Sequence, residues 1–485
     1  MATSTHTKKG DRRWLALTAL AVAQFMVFLD ETVVNVALPS IKADLGFSAA
    51  TLAWVVSVYI VVFGGLVLLG GRTADLFGRR RVFLAGTALF GAASLLDGLA
   101  ASQSMLLAAR ALQGVGAALA TPAALALVTA LFPAGAERVK ALGVWSALSG
   151  LGFAIGILLG GAITDLASWR WVFLINVPVA IAALVVVPRL VQESRAAVAR
   201  RAFDLAGAVA VTVGMTTLVY AAVKAPDYGW RSLETHALIG GAMVLLGAFA
   251  IIERRSSAPL IPPGFLGRRE ALVPNLVQLM LGVSAISTLF LLTLYTQQVL
   301  GYTPLQAGVA YLPLAAGVAT ATGLANKIVP RIGPRVPALA GLAIAAVGIA
   351  RMGQAPVDGS YYVDVLPAMI VIGLGAGFSF VSITTSALGS VDDEAAGLAS
   401  GLLSTSVQLG GAFGVAALVA LASQRSADLI GTGSAPLAAQ VSGLQLAFLV
   451  AAGVALVASL VAALALPGRT GERGGVAVTT AEVAS

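Results

Sequence analysis

Apolar residues in this chain come in runs far longer than a globular helix or strand uses, and short arginine-rich segments break them up. A helix crosses a bilayer with about 20 mostly apolar residues. Runs of that kind lie near 14–37, 52–70, 82–101, 104–130, 139–163 and 169–188. Two more follow at 204–223 and 235–252, then six at 271–296, 305–325, 336–353, 364–386, 397–421 and 443–466. The pattern predicts an all-α integral membrane protein with fourteen transmembrane helices. It divides into a cytoplasmic tail (1–13), a six-helix bundle (14–188), linkers with two extra helices (189–270), a second six-helix bundle (271–466) and a second tail (467–485). The run from Trp14 is too long for a secretory leader and contains Asp30, so it reads as the first helix.

Composition agrees with lipid as the solvent: 58% of residues are hydrophobic and 11% charged, against about 25% charged in soluble domains. The formal charge of +8 is spread over short clusters between the runs, which argues against a nucleic-acid partner. Those clusters set orientation through the positive-inside bias. With both termini cytoplasmic, Arg12, Arg13, Arg72, Arg79, Arg80, Arg81, Arg254, Arg255, Lys327, Arg331 and Arg335 all fall inside. The outer side keeps Lys42, Arg170, Lys224, Arg231, Arg351 and Arg425. Arginine far outnumbers lysine, and Ala and Gly abound, as in GC-rich bacterial genomes, so the expected location is a bacterial plasma membrane.

Several chemistries are excluded. There is no Cys, hence no disulfide, thiolate metal site or cysteine catalysis. No Lys follows a Gly, so there is no phosphate-binding loop to drive an ATPase. The histidines are His6, in the tail, and His236, at a membrane edge, which makes no metal site or His relay. Neither a catalytic residue nor a cofactor is expected.

What remains is charge inside the membrane. Asp30 lies roughly 24 Å of helical rise beyond Trp14, and Arg110 reaches a similar depth from the other side. A central charge costs roughly 2.5–3.5 kcal/mol on insertion scales, which an Asp–Arg pair offsets and protonation of the Asp breaks. The pair is either a proton switch or a static lock between two helices. Glu31 sits about 100° further round the helix, as a flanking or access-path group or a second coupling site. Asp97 comes to the same depth, as a second protonatable site or as a carboxylate solvated at the outer interface. The in-membrane polar side chains Gln24, Asn35, Gln113, Asn176, Gln278, Tyr295 and Gln408 line a substrate cavity or bond helices together.

Between the second and third runs stand Gly71, Arg72, Asp75, Gly78, Arg79 and Arg80, with a weak echo from Asn326 through Pro330 to Gly333 and Arg335. Repeated halves with a site between them mark transporters. Asp75 is placed to latch onto the positive end of a helix of the second half, closing the cytoplasmic side. Gly152, Gly156, Gly160 and Gly161 in the fifth run either pack closely against a neighbour or form a hinge.

The motifs together resemble the fourteen-helix drug:proton antiporter branch of the major facilitator superfamily, over roughly residues 12–466. They are Leu29-Asp30-Glu31-Thr32-Val33-Val34-Asn35-Val36-Ala37-Leu38-Pro39, the Gly71–Arg81 loop and Ala109-Arg110-Ala111-Leu112-Gln113-Gly114. Trp169 through Pro178 and Tyr295 through Tyr302 complete the set. The resemblance implies proton coupling at Asp30 and Arg110, gating at the Gly71–Arg81 loop, and efflux of small apolar or aromatic compounds by a monomer. Proton-coupled nutrient uptake on the same fold is the alternative, and a non-transporting sensor is a third. One departure is Ile157, where the family's fifth-helix motif has Pro after Gly156. The lack of a deep carboxylate in the second half favours neutral or aromatic substrates over dications.

Overall fold

The computed structural model describes residues 5–132, 136–195, 204–256, 259, 268–388 and 396–466. The side chains of 5–11, 49–50, 136, 139, 142–143, 146–154, Ile157, 226–227 and 396–398 are outside that description, as are both linker interiors and the second tail. Everything regular in the described residues is helical, because in lipid each backbone N–H and C=O must be satisfied within its own segment.

The first half comprises α1 (Thr5–Leu45), α2 (Ala49–Phe77), α3 (Arg79–Gly98), α4 (Gln103–Leu131), α5 (Ala136–Leu166), the short α6 (Arg170–Leu174) and α7 (Asn176–Leu190). The insert is α8 (Leu205–Tyr228) and α9 (Leu233–Arg255). The second half holds α10 (Arg269–Leu294), α11 (Pro304–Ala310), α12 (Leu312–Ile332), α13 (Arg335–Met352), α14 (Leu366–Leu388), α15 (Ala396–Gly431) and α16 (Pro436–Ala465). α6 with α7 makes one pass, as does α11 with α12. Single π turns at Tyr295–Val299 and Tyr361–Val365 extend α10 and begin the α14 pass.

Among the described residues, 12 helical segments are long and apolar enough to cross a membrane. α3 (20 residues) and α5 (31 residues) are long enough by rise but fall outside that set. The predicted count of fourteen therefore rests on these two. α3 carries its charge at both ends, in Arg79, Arg80, Arg81 and Asp97, and that charge lowers its hydropathy.

The two halves are built alike. α3 packs on α4 and α7, and α2 on α4; in the second half α13 packs on α14 and α16, and α12 on α14. The weak sequence repeat has a structural counterpart in the turns between each second and third helix. Gly78 (φ 111°) and Gly333 (φ 82°) both hold left-handed backbone there, which side chains with a Cβ rarely adopt.

One face of the bundle carries the starts of α1 and α5, joined by Arg13–Glu137 at 3.7 Å, and the α2–α3 turn. In the second half it carries the start of α10 and the end of α16, where Arg269 donates to the Leu464 carbonyl at 2.9 Å. We call this the tail face and its opposite the far face. On the far face the halves are joined. Gln297 Nε2 donates to the Val36 carbonyl at 2.8 Å, and Thr303 Oγ1 donates to Asp165 at 2.9 Å. Mid-membrane, Ser57 on α2 donates to the Ala412 carbonyl of α15 at 3.1 Å. The insert sits on this seam: α8 packs against both α2 and α15, and α9 packs on α8. Only 11% of the apolar window of α9 is buried, so its remaining surface is left to lipid.

Candidate functional site

The pair predicted from equal depth exists. Arg110 Nη1 donates to Asp30 Oδ2 at 2.6 Å, with side-chain exposures of 2% and 0%. Four helices supply its surroundings. Asp30 comes from α1, Ser94 from α3, Arg110 and Gln113 from one turn of α4, and Asn176 is the first residue of α7. The three-residue step from Arg110 to Gln113 puts both on one face of α4. Gln113 Nε2 donates to Asp30 Oδ1 at 2.8 Å and to Ser94 Oγ at 2.9 Å. Asn176 Nδ2 donates to Asp30 Oδ1 at 2.9 Å. Arg110 also donates to Gln113 Oε1 at 2.5 Å and, through Nε, to the Val55 carbonyl at 3.0 Å. Its guanidinium stands 4.2 Å from the centre of the Tyr59 ring, in cation–π range. A buried ion pair survives desolvation only when its remaining polar atoms are satisfied, and these amides satisfy them.

Of the two readings of Gln113 and Asn176, cavity lining or bonding between helices, their contacts here are of the second kind. Both are fully buried inside the first half, where they ligate Asp30. The third carboxyl, Asp97, lies three residues beyond Ser94 on α3. It is completely buried, and neither of its oxygens has a hydrogen-bond partner. Arg110 and Asp30 are the charges that act on it.

Glu31 faces elsewhere, as the 100° step requires. Its carboxylate accepts from Gln408 Nε2 of α15 at 2.8 Å, so Glu31 and Gln408 meet across the seam between the halves. Asn35 Nδ2 donates to the Glu31 carbonyl at 2.8 Å, while its Oδ1 is buried with no partner. Gln24 Nε2 donates to Thr121 at 3.3 Å and so bonds α1 to α4. Gln278 is buried on α10 with an unpartnered Oε1. Tyr295 is buried in the second half at the far face, and its hydroxyl donates to the Pro356 carbonyl at 2.7 Å.

In the α2–α3 turn, Asp75 accepts from Arg79 Nη2 at 2.9 Å and Nε at 3.1 Å, a pair within its own half. The contact these atoms make is therefore not the expected latch onto a helix of the second half. With the halves joined at the far face, that partner lies in the other half. The N-terminus of α3 is instead capped by Glu193, from the segment that follows α7. Its carboxylate accepts from the backbone N–H groups of Arg80 at 3.0 Å and Arg81 at 3.2 Å. Arg79 N–H donates to the Ser194 carbonyl at 2.9 Å, and the Arg80 side chain to the Val191 carbonyl at 3.0 Å. Gly78 has no room for a Cβ, which would stand 2.8 Å from the Glu193 carboxyl carbon. Gly71 is less constrained, its nearest neighbour being Pro122 at 3.5 Å. Arg72 lies in the last two turns of α2.

The α5 glycines let helices approach. A Cβ on Gly160 would come within 2.8 Å of the Val33 carbonyl, and one on Gly156 would collide with Thr32 Oγ1, within a turn of Asp30. Gly161 lies against the Pro304 carbonyl of the second half. Gly152 and Ile157 fall among the side chains outside the description.

Two like helical halves joined across a seam, with a charged cluster buried inside the first, are the build of a membrane transporter, and likeness to known proteins assigns the family. The Major Facilitator Superfamily model matches residues 20–415, and the chain belongs to that family. It is 40% identical over 481 residues to the puromycin resistance protein pur8 of Streptomyces alboniger, covering 97% of this chain and 95% of that one. It is 39% identical over 419 residues to the cephamycin export protein CmcT of Amycolatopsis lactamdurans, covering 85% and 86%. In fold it is similar to a bacterial homologue of the human lysosomal transporter Spinster, in an inward-facing and unoccupied conformation. That likeness has a TM-score of 0.70 at 18% identity, over 94% of this chain and 97% of the other. The chain is thus a multi-pass membrane transporter acting on small molecules, not an enzyme.

Proposed function

We propose that this protein exports small, largely apolar or aromatic compounds, antibiotics among them, in exchange for protons across the bacterial plasma membrane. In this reading it works as a monomer with both termini cytoplasmic. The tail face is then the inner face, as the arginine clusters favour, and the halves are joined on the outside. Relatives named for puromycin resistance and cephamycin export support efflux.

The observation that carries proton coupling is the buried carboxylate of Asp30 held by Arg110, Gln113 and Asn176, with the unpartnered Asp97 carboxyl beside it. A proton taken up on Asp30 Oδ2 removes the acceptor from Arg110. The guanidinium then leans on the Val55 carbonyl, Gln113 Oε1 and Asp97, and the links between α1, α4 and α7 change. One charge moving through 100 mV supplies about 2.3 kcal/mol, of the order needed to break such a pair and move a neutral substrate uphill. Gly156 and Gly160, packed on Thr32 and Val33, pass movement of α1 to α5, which borders the second half. The α2–α3 turn, clamped by Glu193, moves with the first half as a rigid gate.

The test is accumulation of a drug in inverted membrane vesicles energised by a proton gradient. Uptake that collapses on adding an uncoupler supports antiport. Uptake indifferent to the uncoupler, or absent from energised vesicles, contradicts it.

A further inference from the structure

The insert and the second half enclose a cleft at the far face, about 410 Å³ in volume, that lies apart from the proton-coupling cluster. Trp230, in the turn between α8 and α9, forms one wall and donates its indole N–H to Gln424. Leu421, Gln424, Arg425 and Asp428 of α15 form the other, with Leu446 of α16. The spacing of the four α15 residues puts them on one face of that helix. Without the insert the cleft would lack its aromatic wall.

Its chemistry is that of a membrane interface. Trp230 stands at the level where amphipathic rings meet lipid headgroups. Arg425 and Asp428 are both exposed, and among the described residues neither side chain has an ion-pair or hydrogen-bond partner. α15 runs from the tail face to the far face, so Asp428 stands about 4.5 Å further out than Arg425. This order, a cation nearer the hydrocarbon and an anion just beyond it, complements an ethanolamine headgroup. There the phosphate is tied to the glycerol and the ammonium is the free end. An anionic headgroup would match Arg425 but be repelled by Asp428.

The cleft continues as an apolar track. Beyond Leu446 on the same side of α16, Leu449, Leu456 and Leu460 are exposed, and Gly453 between them leaves open space. From Leu446 to Leu460 the track rises about 21 Å, more than half of the about 30 Å hydrocarbon core. An acyl chain hanging from the headgroup would lie along it. On the insert, α9 leaves Met243 and Val244 exposed as well.

We propose that this cleft holds one phospholipid with a primary-amine headgroup, from the leaflet at the far face, its phosphate on Arg425 and its ammonium on Asp428. The lipid braces the α8–α9 turn against α15 and α16, which gives the insert a part in holding the second half at the seam. The site goes beyond the export reading and does not depend on the direction of transport.

The experiment is native mass spectrometry of the delipidated full chain in detergent. Phosphatidylethanolamine and phosphatidylglycerol with identical chains are added at equal concentration. Wild type should retain one phosphatidylethanolamine in preference to phosphatidylglycerol. Asp428→Asn should cut that preference by about three-fold or more, as loss of one interfacial ion pair implies. Arg425→Gln should weaken retention of both lipids. Asp358→Asn, which removes an exposed carboxylate at the same face outside the cleft, should match wild type. Equal retention of the two lipids by wild type, or an unchanged preference in Asp428→Asn, overturns the proposal. So does an equal loss in Asp358→Asn, which would make the preference a matter of general surface charge. A dimer in place of lipid adducts would hand the cleft to a second copy of the chain and overturn it too.

Discussion

Gln113 holds both members of the buried ion pair at once. Its amide nitrogen donates to Asp30 Oδ1 at 2.8 Å, and its amide oxygen accepts from Arg110 at 2.5 Å. The pair cannot open without disturbing this one side chain. Gln113→Leu should therefore keep the volume and lose the connection. Removing a partner from buried charged groups costs about 1–3 kcal/mol, so the variant should unfold at a lower temperature in detergent. Its proton-driven transport should fall by about ten-fold or more, whereas Gln113→Glu should raise transport at low pH relative to neutral pH. Vesicle uptake at two pH values checks both.

Asp97 supplies a second carboxyl within the influence of Arg110. Asp97→Asn removes a proton acceptor and leaves shape nearly unchanged. Because the wild-type oxygens have no partner, stability should change little, by under about 1 kcal/mol. The pH dependence of transport should become shallower, since one titrating group is gone. A profile superimposable on wild type would leave Asp97 outside the coupling cycle.

Glu193 caps α3 through the N–H groups of Arg80 and Arg81. Glu193→Gln keeps an acceptor and loses the charge, while Glu193→Ala loses both. Caps are worth about 0.5–2 kcal/mol and charges at a helix start about 0.3–1 kcal/mol. Alanine should thus lower the melting temperature more than glutamine. Both should slow turnover if the turn moves as a unit with the first half.

Gly160 tests the α1–α5 contact. Gly160→Ala drives a methyl against the Val33 carbonyl and Cα at 2.8 and 2.9 Å, and overpacking of this kind costs about 1–3 kcal/mol. The variant should express poorly or melt earlier, and the surviving protein should transport more slowly. Gly71→Ala, with its nearest neighbour at 3.5 Å, serves as the control on the same measurements.

Much of this was legible in the sequence because lipid imposes length and depth. The apolar runs marked the helices, the basic clusters marked one face, and equal depth paired Asp30 with Arg110. The glycine turns repeated visibly between halves. Depth along a helix does not say which neighbour a side chain meets, however. That is why Gln113 and Asn176 read equally as cavity residues or as bonds between helices, with no sign that they meet Asp30, and why nothing marked Pro356 as the partner of Tyr295. Glu193 was hidden because a cap on α3 supplied from beyond α7 leaves no local signature. Gln408 and Glu31 are 377 residues apart and meet only through the packing of one half on the other. The place of α8 between α2 and α15 is likewise a tertiary fact.

The central claim is that the proton that drives export binds Asp30. It is tested most directly by comparing wild type with Asp30→Asn in reconstituted vesicles, measuring gradient-driven drug accumulation and, on the same samples, drug exchange without a gradient. The account predicts that Asp30→Asn exchanges drug but no longer accumulates it when a proton gradient is applied. Accumulation by Asp30→Asn at the wild-type level would contradict the account and reduce the Asp30–Arg110 pair to a structural lock.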